Sequence, residues 1–313
     1  MSPQFKFSIQ MPFTPDADSW VEKVQRAEAM GFYSVSVPDH LGPSLPQLSP
    51  MISLAAAAMV TTKVRLAITV LNNDFRNPTL LAKEIATLDI LSKGRVDMGI
   101  GAGWLEEDLT KTGIGTWDPP GTRVSRLFES ITALRLLFSG EPVTFDGEYY
   151  SIHDFTSVPT PMQNPLPIMV GGGGKRMLKY AAENAQIISI LTQMSGTADT
   201  RKNAFEEQLS WIREGGGYER EDLIIGVRVL FGAVGRPGED RAAASERAIG
   251  PTGARVAGGL TTDELLDSPF GLIGSTAELA EHVRGVNQRY GITYFTVSEP
   301  LAWELGPLIA ELA

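Results

Sequence analysis

Short apolar runs alternate with longer stretches of helical periodicity along most of the 313-residue chain. Phe5 to Gln10 and Tyr33 to Val37 read as strands, and between them an amphipathic stretch from Asp18 to Met30 reads as a helix, opened by an Asp/Ser cap and closed at Gly31. The alternation continues with a helix over Met51 to Val60, a strand over Val64 to Leu71, a helix over Pro78 to Leu91 stopped by Lys93-Gly94, and a strand over Arg95 to Ile100. Further helices are predicted over Arg123 to Phe138, Lys175 to Asn184, Thr200 to Glu214 and Thr276 to Tyr290. Further strands are predicted over Pro167 to Val170, Ile187 to Leu191, Leu223 to Phe231 and Ile292 to Val297. Eight strands, nearly all followed by helices, predict an α/β protein with a closed (β/α)8 TIM barrel. An open doubly wound sheet is the alternative.

Three stretches break the repeat and read as insertions: 105–121, 140–166 and 232–271, all rich in Gly, Pro or turn formers. Phe145, Tyr149 and Tyr150 point to a small hairpin in the second. No internal repeat and no dividing linker occurs, so a single domain over 1–313 is expected.

Composition narrows the class. A net charge of -10 opposes binding to nucleic acid or an anionic membrane, and any anionic ligand has to be held by local groups. There is no cysteine, which removes thiolate metal sites, disulfides and cysteine nucleophiles. The N-terminus lacks the pattern of a signal peptide and no run has the length of a membrane span, so a cytoplasmic protein is expected. The three histidines lie far apart and form no HExxH or comparable metal set, and no Gly-x-Ser-x-Gly elbow is present.

In a barrel the chemistry gathers at the carboxyl ends of the strands. Those ends read Pro38-Asp39-His40, Thr69-Val70-Leu71-Asn72, Gly99-Ile100-Gly101-Ala102-Gly103-Trp104, and Gly171-Gly172-Gly173-Gly174-Lys175-Arg176. The four consecutive glycines open a helix, where their N–H groups and the helix dipole suit a phosphate, with Lys175 and Arg176 adding charge; a flexible turn with two solvated cations is the other reading. The run is not a Walker loop, and GxGxG at 99–103 lacks the last glycine of a dinucleotide fingerprint. Glycines there let a flat ring approach the backbone, with Trp104 either a wall of the substrate pocket or ordinary packing. His40, beside Asp39 at a strand end, is the candidate general acid or base, with Asp39 as its catalytic companion; His153 and His282 stay unassigned. Glu106, Glu107 and Asp108 read as first-turn acids of a helix. Phe13, Phe75, Trp104 and Trp117 line the substrate space or pack the barrel mouth.

PDH at 38–40, the block RLAITVLNNDFRNPTLLAKEIATLDILSKGRVDMGIGAGWLEEDL at 65–109, GEYYSI at 147–152 and IMVGGGGKRMLKYAAENAQIISI at 168–190 together resemble the luciferase-like monooxygenase superfamily. Within it the chain is most similar to the branch that uses the deazaflavin coenzyme F420. The resemblance implies a bacterial luciferase-like barrel, usually a homodimer. It puts Asp39, His40 and Asn72 near the coenzyme ring, Ala102 and Gly103 at the ring or ribityl chain, and Gly171 to Gly174 with Lys175 and Arg176 at the phosphate. It also maps a bulge, often with a non-prolyl cis peptide behind the ring, onto Thr69-Val70. Sugar-phosphate dehydrogenases of this branch carry a glutamate where this chain has Trp104, so glucose 6-phosphate is not the expected substrate.

The function so implied is hydride transfer between F420 and a small organic substrate, with His40 moving the proton. An FMN-dependent luciferase-like monooxygenase and a non-catalytic flavin- or deazaflavin-binding protein are the alternatives. No metal, nucleic acid or membrane partner is expected.

Overall fold

The computed structural model describes residues 4–11, 13–191, 198–248 and 262–313. The strands of the main sheet are β1 (Lys6–Gln10), β2 (Ser34–Val37), β3 (Arg65–Ile68), β4 (Leu71–Asn72) and β5 (Val96–Gly101). After the strands β6 (Val143–Asp146) and β7 (Ser151–Phe155) come β8 (Ile168–Gly172), β9 (Ile187–Ile190), β10 (Ile224–Arg228), β11 (Phe231–Val234), β12 (Gly271–Gly274) and β13 (Ile292–Ser298). The main sheet runs β3-β2-β1-β13-β10-β9-β8-β5, and a β3–β5 pairing closes it into the (β/α)8 barrel, with β4 continuing along β5. The β1–β13, β9–β10 and β5–β8 ladders of this sheet are parallel, as βα connections require.

The chain forms two compact units, one of residues 11–28 and 35–171, the other of 1–10, 29–34 and 172–313. In the first, the helices α1 (Ala17–Ala29), α2 (Pro50–Val60) and α3 (Pro78–Ser92) follow their strands. Asn77 caps α3 through its side chain with Pro78 behind it, and Lys93 at φ 58° ends it in the left-handed conformation, so the Lys93-Gly94 stop stands. The third predicted strand is broken in two at Thr69-Val70, whose peptide bond is cis. A short helix α4 (Glu107–Thr110) follows, and α5 (Pro120–Leu137) starts three residues before the predicted Arg123 because Pro120 suits a first helical position. The expected hairpin is the antiparallel pair β6–β7, held to α5 by Glu129, which accepts N–H bonds from Glu148, Tyr149 and Tyr150.

In the second unit, α6 (Lys175–Asn184) and α7 (Ala198–Glu214) flank β9. The strand predicted over Leu223 to Phe231 is two strands instead of one. The Val229 N–H still bonds Thr296 on β13, but the Leu230 N–H goes to Phe270, and β11 then pairs with β12 in a separate two-stranded sheet. This sheet and the helices α8 (Arg241–Ala248) and α9 (Thr262–Asp267) occupy the described parts of the 232–271 insertion; residues 249–261 lie outside the described residues. Then α10 (Thr276–Tyr290) opens with a Ser275/Glu278 capping box.

Among the described residues no helix is long and apolar enough to cross a membrane, and no group of His, Asp and Glu is placed to hold a metal ion.

Candidate active site at the strand ends

In the first unit, β2 ends at Val37 and delivers Asp39 and His40 with opposite surroundings. Asp39 is buried, and its carboxylate is gripped by both terminal nitrogens of Arg76 at 2.6 and 3.3 Å and by the Asn72 N–H at 3.3 Å. This ties the end of β2 to β4 and the turn after it. The acid does not pair with His40; it acts on the site as an anchor.

The partner of His40 is Asp108. The imidazole Nδ1 and Asp108 Oδ2 are 2.7 Å apart, and the carboxylate is 1% exposed against 15% for the imidazole. Asp108 Oδ1 accepts the Leu41 and Gly42 N–H groups at 2.9 and 3.2 Å, which fixes the loop carrying His40. A carboxylate offers only lone pairs, so Nδ1 carries the proton and Nε2 is left as the working nitrogen, without a partner among the described residues. Asp108 does stand in the first turn of α4, as expected, and it has this second role toward His40 as well. Leu105, Asp108 and Leu109 share one face of the turn by their i, i+3, i+4 spacing, and Leu109 is fully buried, whereas Glu106 is exposed and Glu107 binds Ser44 and Lys111 at the surface. That spacing was the available signal.

A floor at these strand ends comes from the break between β3 and β4. Ile68 and Leu71 are buried, but Thr69 and Val70 are half-exposed. Glycines on the neighbouring strands make room for Val70: a Cβ on Gly101 would stand 2.9 Å from one Val70 methyl, and one on Gly171 3.0 Å from the other. Gly103 adopts φ +73°, and a Cβ there would meet the Asn72 side-chain amide at 2.8 Å. Asn72 in turn accepts the Asp74 N–H. The Ala102 and Gly103 carbonyls are both held by Arg123, which also lies 3.6 Å from the Trp117 ring centroid. Trp117 is thus occupied with Arg123. Trp104 is 62% exposed and meets the His40 ring edge-on at 5.4 Å, so it borders the histidine and is not core packing. Val70, Ala102 and Gly103 give a small, partly accessible, largely apolar surface that fits a planar ring, and Trp104, next in sequence, meets the His40 imidazole.

In the second unit the glycine run is shaped mainly by its own packing. A Cβ on Gly172 would meet Met177, and one on Gly173 would fall on the Leu191 carbonyl and the Gln208 amide. Only Gly174 faces open space within 4 Å. None of the four has a positive φ, so the alternating nest of N–H groups is not formed; Gly174 instead sits at the N-cap of α6 without a side-chain cap. The buried Gln208 donates its amide to Gly173 and Leu191, while its Oε1 has no partner among the described residues. Lys175 is exposed, 3.9 Å from Glu214 and over Trp211. Arg176 is exposed on the same turn. An oxyanion tail fits the uncapped start of α6, with main-chain N–H groups as its donors.

His282 bonds Ser268 and is pushed below the usual imidazole range by burial, and His153 is exposed beside Asp146; neither belongs to the set around His40.

Residues 4–229 match the luciferase-like monooxygenase family, and the chain belongs to that family. An uncharacterized protein of Mycobacterium tuberculosis is 36% identical over 180 residues, 51% of this chain and 62% of that one. An F420-dependent glucose-6-phosphate dehydrogenase of Intrasporangium calvum is 36% identical over 173 residues, 52% of this chain and 51% of that enzyme. The match thus spans roughly half to three-fifths of these relatives. The fold agrees with that of the coenzyme F420-dependent tetrahydromethanopterin reductase of Methanopyrus kandleri, at a TM-score of 0.76 and 20% identity, covering 99% of this chain and 100% of that one. It also agrees with an FMN complex of the oxygenating component of 3,6-diketocamphane monooxygenase from Pseudomonas putida, at a TM-score of 0.69 and 19% identity over 99% and 96% of the two chains.

Proposed function

We propose that this protein is an F420-dependent oxidoreductase that transfers a hydride between the deazaflavin coenzyme and a small organic substrate. The observation that carries the reading is the His40–Asp108 pair, 2.7 Å apart, which leaves the second nitrogen of the imidazole without a partner among the described residues. Hydride transfer to or from a carbon bearing oxygen leaves one proton to be moved, and an oriented imidazole is suited to moving it near neutral pH. The identity to F420-dependent dehydrogenases supports this coenzyme over FMN.

When bound, the deazaflavin supplies a ring carbon that takes or gives the hydride. Val70, Ala102 and Gly103 would lie against the ring, with Thr69 and Asn72 at its margin. Asp39 keeps that margin in place through Arg76 and Asn72. Nε2 of His40 would hold or receive the substrate proton, while Asp108 keeps the ring in one tautomer and balances the charge of the protonated imidazole. Trp104 would exclude water on one side of His40. As a separate assignment, Gly171 to Gly174, Lys175 and Arg176 would receive the coenzyme's anionic tail, through N–H groups at the start of α6 more than through the two cations.

The test is equilibrium titration of the purified protein with F420 and with FMN, followed by oxygen uptake with each reduced form. Saturable F420 binding without oxygen uptake is expected. Tight binding of FMN alone, with flavin-dependent oxygen uptake, would replace this reading by the monooxygenase one.

A further inference from the structure

Arg228 ends β10, at the carboxyl end of a barrel strand, where this fold binds ligands. Register fixes the face it occupies. Gly226 and Arg228 pair with Tyr294 and Thr296 on β13, and Gly226 pairs with Ser189 on β9. Alternation therefore sets Arg228 on the side of Gly226, Ser189, Tyr294 and Thr296, opposite the aliphatic side of Val227, Ile188 and Ile190. The Tyr294 hydroxyl reaches Ser34 at 3.0 Å, two strands away on β2, a span that the concave interior allows. Arg228 thus belongs to the interior face, at its mouth.

Two further facts describe its surroundings. The side chain is exposed, yet burial by nearby protein pushes its guanidinium below the usual arginine value, with no carboxylate among the described residues acting in the other direction. Among the described residues the guanidinium has no hydrogen bond, ion pair or ring contact, whereas Arg65, Arg76 and Arg126 each hold a carboxylate. A guanidinium stays charged at any working pH, and one at a barrel strand end without a protein partner is left to hold an anion from solution. In a chain of net charge -10, attraction of an anion has to come from such a local group.

We propose that Arg228 is the docking residue for an oxyanion, a carboxylate or phosphate carried by a ligand that enters the barrel mouth, and that this ligand is the substrate. The oxyanion site stands on Arg228 alone; calling its ligand the substrate rests on the oxidoreductase reading above. The planar fork of the guanidinium matches either group through two parallel hydrogen bonds.

The experiment titrates inorganic phosphate and acetate into the wild-type chain, Arg228→Met and Arg228→Lys by calorimetry, in a buffer free of other oxyanions. The same three proteins are titrated with intact F420 and with the coenzyme cut back to its ribityl hydroxyl, which lacks phosphate and acidic tail. At least one anion is expected to bind the wild type saturably, about 10- to 100-fold more weakly to Arg228→Met, and about 3- to 10-fold more weakly to Arg228→Lys, which keeps the charge but not the fork. Both coenzyme forms are expected to bind all three alike. If Arg228→Met weakens intact F420 but not the truncated form, the oxyanion is the coenzyme's own, and the substrate assignment is overturned. If the anions bind wild type and both variants equally, or not at all, and both coenzyme forms are indifferent to residue 228, there is no oxyanion site. Should the neutral variant not fold, Arg228→Lys decides between the same outcomes. Failure of F420 to bind any of the three proteins removes the oxidoreductase reading and leaves the anion titrations to judge Arg228.

Discussion

Around the ends of β2, β4 and β5 the charges are largely buried and directed: Asp108 on His40, Arg76 on Asp39, Arg123 on the Ala102 and Gly103 carbonyls. At the end of β8 they are exposed, with Lys175 shared between solvent, Glu214 and Trp211. Both regions are glycine-rich, and at both most of the glycines accommodate the protein's own atoms, Val70 and Asn72 at one, Met177, Leu191 and Gln208 at the other. The difference lies in what is oriented. Around β5 the packing aims side chains, which chemistry requires; around the start of α6 it leaves a helix end uncovered, which is enough to hold an anion but not to move a proton.

The contrast breaks most directly at Asp108. In Asp108→Asn the amide oxygen can still accept the Leu41 and Gly42 N–H groups, but the amino group faces His40 Nδ1 and forces it to accept. The proton then moves to Nε2, and the nitrogen offered to substrate changes from acceptor to donor. With F420 and a turnover substrate, kcat is expected to fall about 100- to 1,000-fold with little change in KM, in the range of a lost general acid–base group. Nitrogen NMR of the imidazole, simplified by there being three histidines, is expected to show the tautomer exchanged. An unchanged tautomer, or kcat within about threefold of wild type, would reduce Asp108 to a loop anchor.

Arg76 separates anchoring from chemistry. Arg76→Met leaves Asp39 buried with the Asn72 N–H as its one remaining bond among those described. Breaking such a pair is expected to cost about 3 kcal/mol, read as a lower urea midpoint at unchanged slope. A midpoint unmoved by the substitution would show that the pair adds nothing net.

Much of this arrangement was readable from residue order, and the failures have physical causes. Periodicity found all eight barrel strands and seven of the ten labelled helices between them, because each buries an apolar face with its own repeat; the short α4, α8 and α9 lie in the insertions. The ends of the strands were also placed, since a barrel puts them on one side. Periodicity could not tell that Leu223 to Phe231 is two strands, because both halves are apolar and the break arises where hydrogen bonding passes from β13 to the segment before β12. Nor could adjacency find the partner of His40. Asp39 is next in sequence but alternates onto another face, while Asp108 arrives from 68 residues away through the turn after Gly103. The glycine run is ambiguous in a different way: four glycines signal close approach, but sequence does not say whether the approaching atoms belong to a ligand or to Met177, Leu191 and Gln208.

The smallest expected effect tests that last point. Gly174 occupies the N-cap of α6 in an extended conformation, φ -84° and ψ 148°, with nothing within 4 Å of a Cβ. Serine fits there without strain and would cap the N–H groups of the first turn, so Gly174→Ser is expected to stabilise the protein by a few tenths of a kcal/mol, about the difference between serine and glycine at such a position. The same hydroxyl would compete for the donors assigned to the coenzyme tail, so F420 affinity is expected to fall several-fold, with the truncated coenzyme unaffected. Opposite signs in the two measurements follow if the uncovered helix end holds the anion. A gain in stability with unchanged F420 affinity would mean that the tail is bound by other groups, and the start of α6 would then be an ordinary helix end.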